Sequence, residues 1–430
     1  KLDYIKEHKS AIGASLSLTF IVLRLNQHIE RLKKLLQLLH LNGKERKLLV
    51  TGLLKEFVFN ENTRLSLSRH ISSNIGLLAY QVTEHAAHTG EHYVSTTRAE
   101  YFKFFGYALG GGAIVSVLVL IKLAVTSLHL PVLIETILNG LNYGIGFIII
   151  HLAGFTLATK QPAMTASKLA GELEGHTDDE IGISNLAGLI VKISRTQFIS
   201  FAGNLLMVFP CSWLLSYLYQ LVTGNHPADL NKAHHLIEQL HPVYSASAWY
   251  ACVAGVLLFT AGLISGYLDN KTLYIRLPER LIQHPGLKFI KMKSRTRFAR
   301  YIGNNLGSLG GNFILGFLLA SMAFIGFILG LPLDVRHVTF VTGNFGLALE
   351  SLNNEIPAAT IWITLASIVM IGFLNFVVSF GLAIFVAIRS RKVKFKQTQK
   401  LLQMLFAYLL TYPTDFFFPP SRPRINSSGK

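Results

Sequence analysis

Residues 104–158 read FFGYALGGGAIVSVLVLIKLAVTSLHLPVLIETILNGLNYGIGFIIIHLAGFTLA, and this stretch decides the fold. It contains two apolar runs, 104–128 and 131–158, and neither shows a polar face at helical spacing. Each run is about as long as the roughly 20 residues that an α-helix needs to cross the hydrocarbon core of a membrane. The stretch therefore predicts a transmembrane hairpin.

The composition of the whole chain also indicates a membrane protein. Of the 430 residues, 51% are hydrophobic and only 15% are charged, whereas charged residues make up about a quarter of a typical soluble domain. We expect the excess apolar surface to face lipid. Because the first residue is Lys1 and no cleavable signal precedes it, we expect the chain to begin inside a longer protein.

Four further apolar runs follow the first hairpin, at 198–222, 245–268, 306–331 and 358–387. Together with the first two they predict six spans. The predicted fold class is all-α: a polytopic membrane protein whose six transmembrane helices form three tandem hairpin repeats, with a cytoplasmic helical N-terminal domain.

The N-terminal region is polar, and its apolar residues recur at the spacing of an amphipathic helix, as at Leu25, Ile29, Leu32 and Leu36. The predicted segments are a cytoplasmic helical domain (1–100), a first transmembrane hairpin (101–159), a cytoplasmic connection (160–196), a second hairpin (197–268) with an extracytoplasmic loop (223–244), a basic cytoplasmic connection (269–305), a third hairpin (306–388) and a basic amphipathic cytoplasmic tail (389–430).

Basic residues are concentrated in alternate connections. The segments 160–196, 269–305 and 389–430 are basic, whereas 223–244 and 332–357 contain one Lys or Arg each. Because cytoplasmic loops retain Lys and Arg, this pattern predicts a bacterial inner-membrane protein with both ends in the cytoplasm. It accounts for the net charge of +17 without nucleic acid, and it predicts anionic lipids as partners on the cytoplasmic face. Protein partners are not identified by the sequence.

A motif of the form Arg-x-x-aromatic-x-x-aromatic-x-Gly recurs at the start of three outgoing helices. We predict that Arg stays with the lipid head groups, that the aromatic residues occupy the membrane interface and that Gly lets a neighbouring helix approach closely. The Arg and Gly positions of the three copies are Arg98 and Gly106, Arg195 and Gly203, and Arg295 and Gly303.

Polar residues at membrane depth are candidate functional residues because burying them in lipid is costly. They could bind a solute or lipid, or they could only form hydrogen bonds between helices. The candidates at membrane depth or at its inner boundary are Asn139, Asn142, Tyr143, His151, Lys160, Gln161, Asn204, Asn304 and Asn375.

A histidine cluster precedes the first span. His85, His88 and His92 are spaced so that one helical face presents three imidazoles, which is a possible zinc site. A solvated helical face is the alternative. The sequence identifies no cofactor.

Seven short motifs resemble one known family. They are RAEY (98–101), GGG (110–112), LNY (141–143), GFTLATKQPAMT (154–165), HP (241–242), GLISGYLDN (262–270) and GLPLDVRHVTF (330–340). The chain is similar over nearly its whole length to the bacterial multi-pass membrane family catalogued as "site-specific recombinase", of the Gcr type. The family's name implies DNA strand exchange.

The sequence does not contain the residue pattern that strand exchange requires. A tyrosine recombinase needs two Arg, a His and a Tyr nucleophile, and a serine recombinase needs an activated Ser among arginines. The HxxR motif, from His28 to Arg31, lies on a predicted amphipathic helix. The sequence therefore favours a membrane component that binds or transports a lipid or small solute. A non-catalytic membrane scaffold and a DNA recombinase are the alternatives.

Overall fold

The computed structural model describes residues 16–40, 42–62, 95, 97–157, 180–390 and 395–419. Within these residues every regular element is helical and no strand occurs. The predicted all-α fold class is therefore confirmed.

The described part of the chain forms α-helices joined by short connections. They are α1 (Leu16–His40), α2 (Gly43–Asn62), α3 (Arg98–Ser127), α4 (Val132–Leu152), α5 (Glu180–Thr223), α6 (Leu230–Glu238), α7 (Ser247–Tyr274), α8 (Leu277–Gln283), α9 (Met292–Leu329), α10 (Val338–Ser351), α11 (Ala358–Ser390) and α12 (Phe395–Thr411). Two 3₁₀ turns occur at Pro285–Leu287 and Pro413–Phe416.

Six of these helices are long and apolar enough to cross a membrane: α3, α4, α5, α7, α9 and α11. They correspond to the six predicted apolar runs. Both α5 and α9 begin several turns before their runs. The added turns of α5 stay helical because they bury Leu186, Ile190 and Ile193 against Phe380 of α11 and Leu401 of α12.

Contacts at glycines set the directions of the spans. Helices α3 and α4 are antiparallel, since Gly146 of α4 meets Leu118 near the end of α3 and Gly110 of α3 meets Phe155, which follows α4. Helices α4 and α9 are also antiparallel, and a Cβ on Gly316 of α9 would overlap the backbone of Gly144. Such close approaches let helices associate by packing alone.

The alternating directions give the bundle two faces. The connections 128–131 and 224–246 are on one side, which we call the loop face, and the connection 330–357 begins and ends on that side. The connection 275–291 and the C-terminal residues 412–419 are on the other side, which we call the basic face.

Helix α10 lies inside the bundle and not on the loop face. The ring of Phe340 is 4.5 Å from that of Tyr143 and 6.0 Å from that of Phe147, both on α4. Helix α4 has 21 residues and a length of roughly 31 Å, and Tyr143 is near its middle. Residues 330–352 therefore enter the bundle from the loop face and return to it, and we call them the re-entrant segment.

The two N-terminal helices pair through few contacts. Lys34 of α1 donates to Glu56 of α2 over 2.7 Å, and both side chains are largely exposed. A row of leucines on α1, including Leu32 and Leu39, is exposed as well. Helix α1 has the amphipathic pattern that the sequence predicts for its residues.

Candidate functional site at the re-entrant segment

The sequence of the re-entrant segment explains its path. Gly330 ends α9 in the left-handed conformation with φ of 64°, which glycine adopts without a steric penalty. Pro332 and its neighbours continue as non-helical chain, because proline has no N–H to donate to a helix. The helix then restarts at Val338 and runs for only 14 residues, too few to cross a membrane.

Asn375 of α11 fixes the buried start of α10. Its Oδ1 accepts a hydrogen bond from the Val338 N–H over 3.0 Å. Its Nδ2 donates to the carbonyl oxygens of Ala251, over 2.9 Å, and of Arg336, over 3.0 Å. The first N–H groups of a helix have no intrahelical partner, so this single buried side chain caps α10 and links it to α7 and α11.

Arg336 is the charged residue at the inner tip of the re-entrant segment. It is 8% exposed, and its guanidinium donates to the Asp334 carboxylate and to Oε1 of Gln239. Its Cζ is 5.2 Å from the centre of the Tyr250 ring, a cation–π distance. Lys122 of α3 is close enough to interact electrostatically with Asp334 and Arg336. The tip therefore holds charges of both signs: Arg336 is buried, whereas the Asp334 side chain is 37% exposed.

Glu350 is the charged residue at the other end of α10. It is 4% exposed, and Ser216 of α5 is fully buried beside it. The Ser216 hydroxyl donates to Oε2 of Glu350, and Nδ1 of His226 is 3.3 Å from the same oxygen. Gln220 Nε2 is 3.2 Å from Nε2 of His226. The arrangement joins α5, the connection after it and α10 through one carboxylate.

Several buried polar atoms along α10 have no hydrogen-bond partner among the described residues. They include Thr339 Oγ1 and Ser351 Oγ on α10 and Ser212 Oγ on α5. Ser212 faces α10, because its Oγ is 3.1 Å from the position that a Cβ on Gly343 would occupy. Buried polar groups are nearly always bonded, so these atoms are suited to bind water or a polar ligand.

Three of the predicted polar residues bind main-chain carbonyl groups of other segments. Asn142 Nδ2 donates to Leu118 over 2.9 Å, and Asn204 Nδ2 donates to Ala108 and Thr156; Asn375 is the third. They are therefore structural contacts in this bundle.

The remaining predicted residues at membrane depth are dispersed. Tyr143 packs on Phe340 of the re-entrant segment, and Asn139 is buried one turn away with no partner for its Oδ1 among the described residues. His151 is half-buried at the end of α4, and Asn304 is exposed on α9. The other predicted residues lie outside the described residues: Lys160, Gln161, His85, His88 and His92. The zinc hypothesis therefore stays a prediction.

At two of its three copies, the arginine of the repeated motif donates a hydrogen bond to a main-chain carbonyl group. Arg195 is buried, and its Nε donates over 3.0 Å to the carbonyl oxygen of Asp415 in the turn Pro413–Phe416. Arg295 donates over 3.5 Å to the carbonyl oxygen of Leu287 in the turn Pro285–Leu287. Arg98 of the first copy is exposed.

The glycines of the motif differ in their surroundings. A Cβ on Gly203 would be 2.8 Å from both Ala108 Cβ and the Phe105 carbonyl oxygen, and Gly303 packs against Pro278. These two glycines allow the close approach that the motif predicts. Among the described residues, no atom of a neighbouring helix lies within 4 Å of a Cβ on Gly106, so the first copy shows no such contact there.

The sequence reasoning missed Glu350, Ser216 and the re-entrant segment itself. One signal was present: the apolar run at 338–349 is bounded by Arg336 and His337 on one side and by Glu350 on the other. A run of 10–14 apolar residues is typical of a re-entrant segment and not of a span.

The family model described as "Site-specific recombinase" matches residues 1–419. The chain belongs to the site-specific recombinase family. No curated protein and no solved structure is significantly similar to it. His28 and Arg31, which form the HxxR motif, are both exposed on α1. They are far in sequence from the re-entrant segment.

Proposed function

We propose that the chain is a bacterial inner-membrane component that binds or transports a small solute or lipid at the re-entrant segment. The observation that carries the proposal is the burial of ionisable groups at both ends of a half-helix, Arg336 before α10 and Glu350 at its end. Ionisable residues within a membrane bundle are costly and mark solute or ion pathways by default.

The backbone supports the same function. Extended chain at membrane depth is tolerated where it is enclosed by protein or lines a water-filled cavity. Broken or partial helices form the binding sites of many transporters, because their ends present unpaired main-chain groups and partial charges to a ligand. The non-helical residues before Val338, followed by a 14-residue helix, have this form.

The proposed orientation places the basic face in the cytoplasm. Lys293, Arg297 and Arg300 of α9 line a cavity of about 380 Å³ together with Thr296, and these basic residues recur on one side of the helix. Lys and Arg are retained on the cytoplasmic side, and such a cluster attracts anionic lipid head groups. The loop face, and with it Glu350, would then be extracytoplasmic.

The accessibility of α10 to water tests this function against a dry scaffold. After Cys211 and Cys252 are replaced by Ala, single cysteines are introduced at Thr339 and Ser351. Cells in which the loop face is outside are treated with a small, charged, membrane-impermeant methanethiosulfonate. We expect Ser351→Cys to react, because Ser351 follows Glu350 at the loop-face end of α10 and its buried Oγ has no hydrogen-bond partner among the described residues.

Two matched positions calibrate the measurement. Val243→Cys, in an exposed loop, sets the full rate, and Ala261→Cys, in the apolar core, sets the background. Reaction at Ser351 at the background rate of Ala261 would support a scaffold instead. DNA cleavage or joining by the purified protein would support the strand exchange that the family's name implies.

A further inference from the structure

We infer that Glu350, with Ser216 and His226, is a proton-binding site that exchanges with the loop face. The inference rests on the proposed function and adds the ion that the site binds. It would make the proton the coupling ion of the membrane component, since a carboxylate that is charged in one state and neutral in another changes what α10 can bind.

The position of Glu350 favours a neutral carboxyl group as one of its states. The residue is in the last turn of α10, where the helix dipole is negative and does not stabilise a second negative charge. Carbonyl-rich ends of half-helices are sites for Na⁺ or H⁺ in transporters. Two donors, Ser216 and His226, converge on Oε2, so the ionised state can also be held.

His226 connects this carboxylate to water. Its side chain is 24% exposed, whereas that of Glu350 is 4% exposed. Because the Gln220 amide donates to Nε2 of His226, the neutral imidazole carries its proton on Nδ1 and directs it at Oε2 of Glu350. In this tautomer the ring donates a hydrogen bond to Glu350, and it can transfer a proton only as the imidazolium.

The transfer is balanced in charge and atoms. An imidazolium formed at His226 by uptake of one proton from the loop face releases its Nδ1 proton to Oε2 of Glu350. The N–H bond breaks, an O–H bond forms, and a neutral carboxyl group and an imidazole protonated on Nε2 remain; the Gln220 amide turns over so that its Oε1 accepts from Nε2. The ion pair is replaced by a neutral pair, so no unpaired charge is left in the buried site.

Few other charges surround Glu350. Among the described residues, His226 is the one basic side chain within 4 Å of its carboxylate. Helix α11 carries no ionisable side chain from Ala358 to Val386. On α5, at α6 and after α10, the other ionisable side chains towards the loop face are Cys211, Tyr217, Tyr219, Asp229, Lys232, His234, His235, Glu238 and Glu355. Lys122 of α3 interacts instead with Asp334 and Arg336, before the start of α10.

The arrangement favours a proton over a sodium ion. The Nδ1 proton of His226 and the hydroxyl proton of Ser216 both point at Oε2, so one of the two carboxylate oxygens that a metal cation would use is already occupied by donors. An imidazolium beside the carboxylate would also repel a second cation. A proton, by contrast, is what an imidazole in this position carries.

Infrared spectroscopy of the purified full chain tests the inference. Difference spectra are recorded between about pH 5 and about pH 8, the range in which histidine titrates, in H₂O and D₂O without sodium. We expect a protonated-carboxyl band that Glu350→Gln removes and Glu355→Gln retains. We expect Glu350→Asp to restore a band, which separates loss of the carboxyl group from misfolding.

The rate of proton uptake tests the part played by His226. After a rapid acidification, we expect the Glu350 band to appear at least about tenfold more slowly in His226→Gln, as for the loss of a proton-transfer group. His235→Gln, on the exposed side of α6, is the matched control and should keep the wild-type rate.

The outcomes separate this inference from the proposed function. A carboxyl band that is the same in the wild type and in Glu350→Gln, or a response of Glu350 to sodium and not to pH, overturns the proton site. If Ser351→Cys is still labelled in that case, the proposed function stands without the proton. If it is not labelled either, both fail.

Discussion

Buried asparagines in this bundle bind main-chain groups of irregular segments. Thr156, bonded by Asn204, and Arg336, bonded by Asn375, both lie outside helices, where carbonyl groups have no intrahelical partner. Without water, each unsatisfied group costs several kcal/mol. At the scale of the residue, the asparagines are therefore stabilising contacts, whereas Glu350 differs from them because it can change its charge.

Replacing Asn375 by Ala should lower the free energy of unfolding in detergent by about 2 kcal/mol, because the Val338 N–H and two carbonyl groups lose their partner. Asn304→Ala removes an exposed amide and should change it by less than about 0.5 kcal/mol. Thermal unfolding followed by circular dichroism gives both values. Equal stability of the two variants would mean that Asn375 does not anchor α10.

The elements of the fold could be predicted to different extents from the sequence. Hydropathy predicts the six long helices, because a run of about 20 apolar residues has few other solutions. Hydropathy does not predict α10, because the path of residues 330–337 depends on hydrogen bonds with Asn375, which is on α11. Membrane depth likewise suggests that Asn204 is important, but its partners Ala108 and Thr156 depend on how α3 and α5 pack.

Contacts between helices depend on particular glycines. A Cβ on Gly316 would overlap the backbone of Gly144, whereas among the described residues no atom of a neighbouring helix lies within 4 Å of a Cβ on Gly106. We expect Gly316→Ala to force α4 and α9 apart and to cost about 1–3 kcal/mol, and Gly106→Ala to leave the stability unchanged. Chemical unfolding of the two variants is the measurement. A cost at Gly106 equal to that at Gly316 would contradict this packing.

The C-terminal turn is fastened to the spans by main-chain hydrogen bonds. Arg195 donates to Asp415, and the Tyr101 hydroxyl donates to Phe417 over 2.8 Å. Replacing Arg195 by Lys removes the Nε donor and should raise amide hydrogen exchange in residues 412–418 by about tenfold, as expected for the loss of about 1.4 kcal/mol. Arg297→Lys, on an exposed position, is the control. Unchanged exchange in Arg195→Lys would show that the hydrogen bond from Arg195 does not hold the turn.

At the scale of the molecule, the basic face should bind anionic lipid. Phosphatidylglycerol should raise the melting temperature of the purified protein more than phosphatidylcholine does, because each basic residue near an anionic surface contributes about 1 kcal/mol. Substituting Lys293, Arg297 and Arg300 by Gln should remove most of the difference. Substituting Lys232 by Gln, on the loop face, should not. A lipid preference that survives the triple substitution would place the lipid site elsewhere.

The depth of α10 in the membrane is the claim on which the account depends. An experimental map of the chain in a lipid nanodisc measures it directly, because the bilayer and the helices appear in the same density. We predict that Phe340 lies near the bilayer midplane, level with Tyr143, and that Glu350 lies towards the loop face. A map in which Phe340 is at the level of the lipid head groups would contradict the re-entrant segment and the functions built on it.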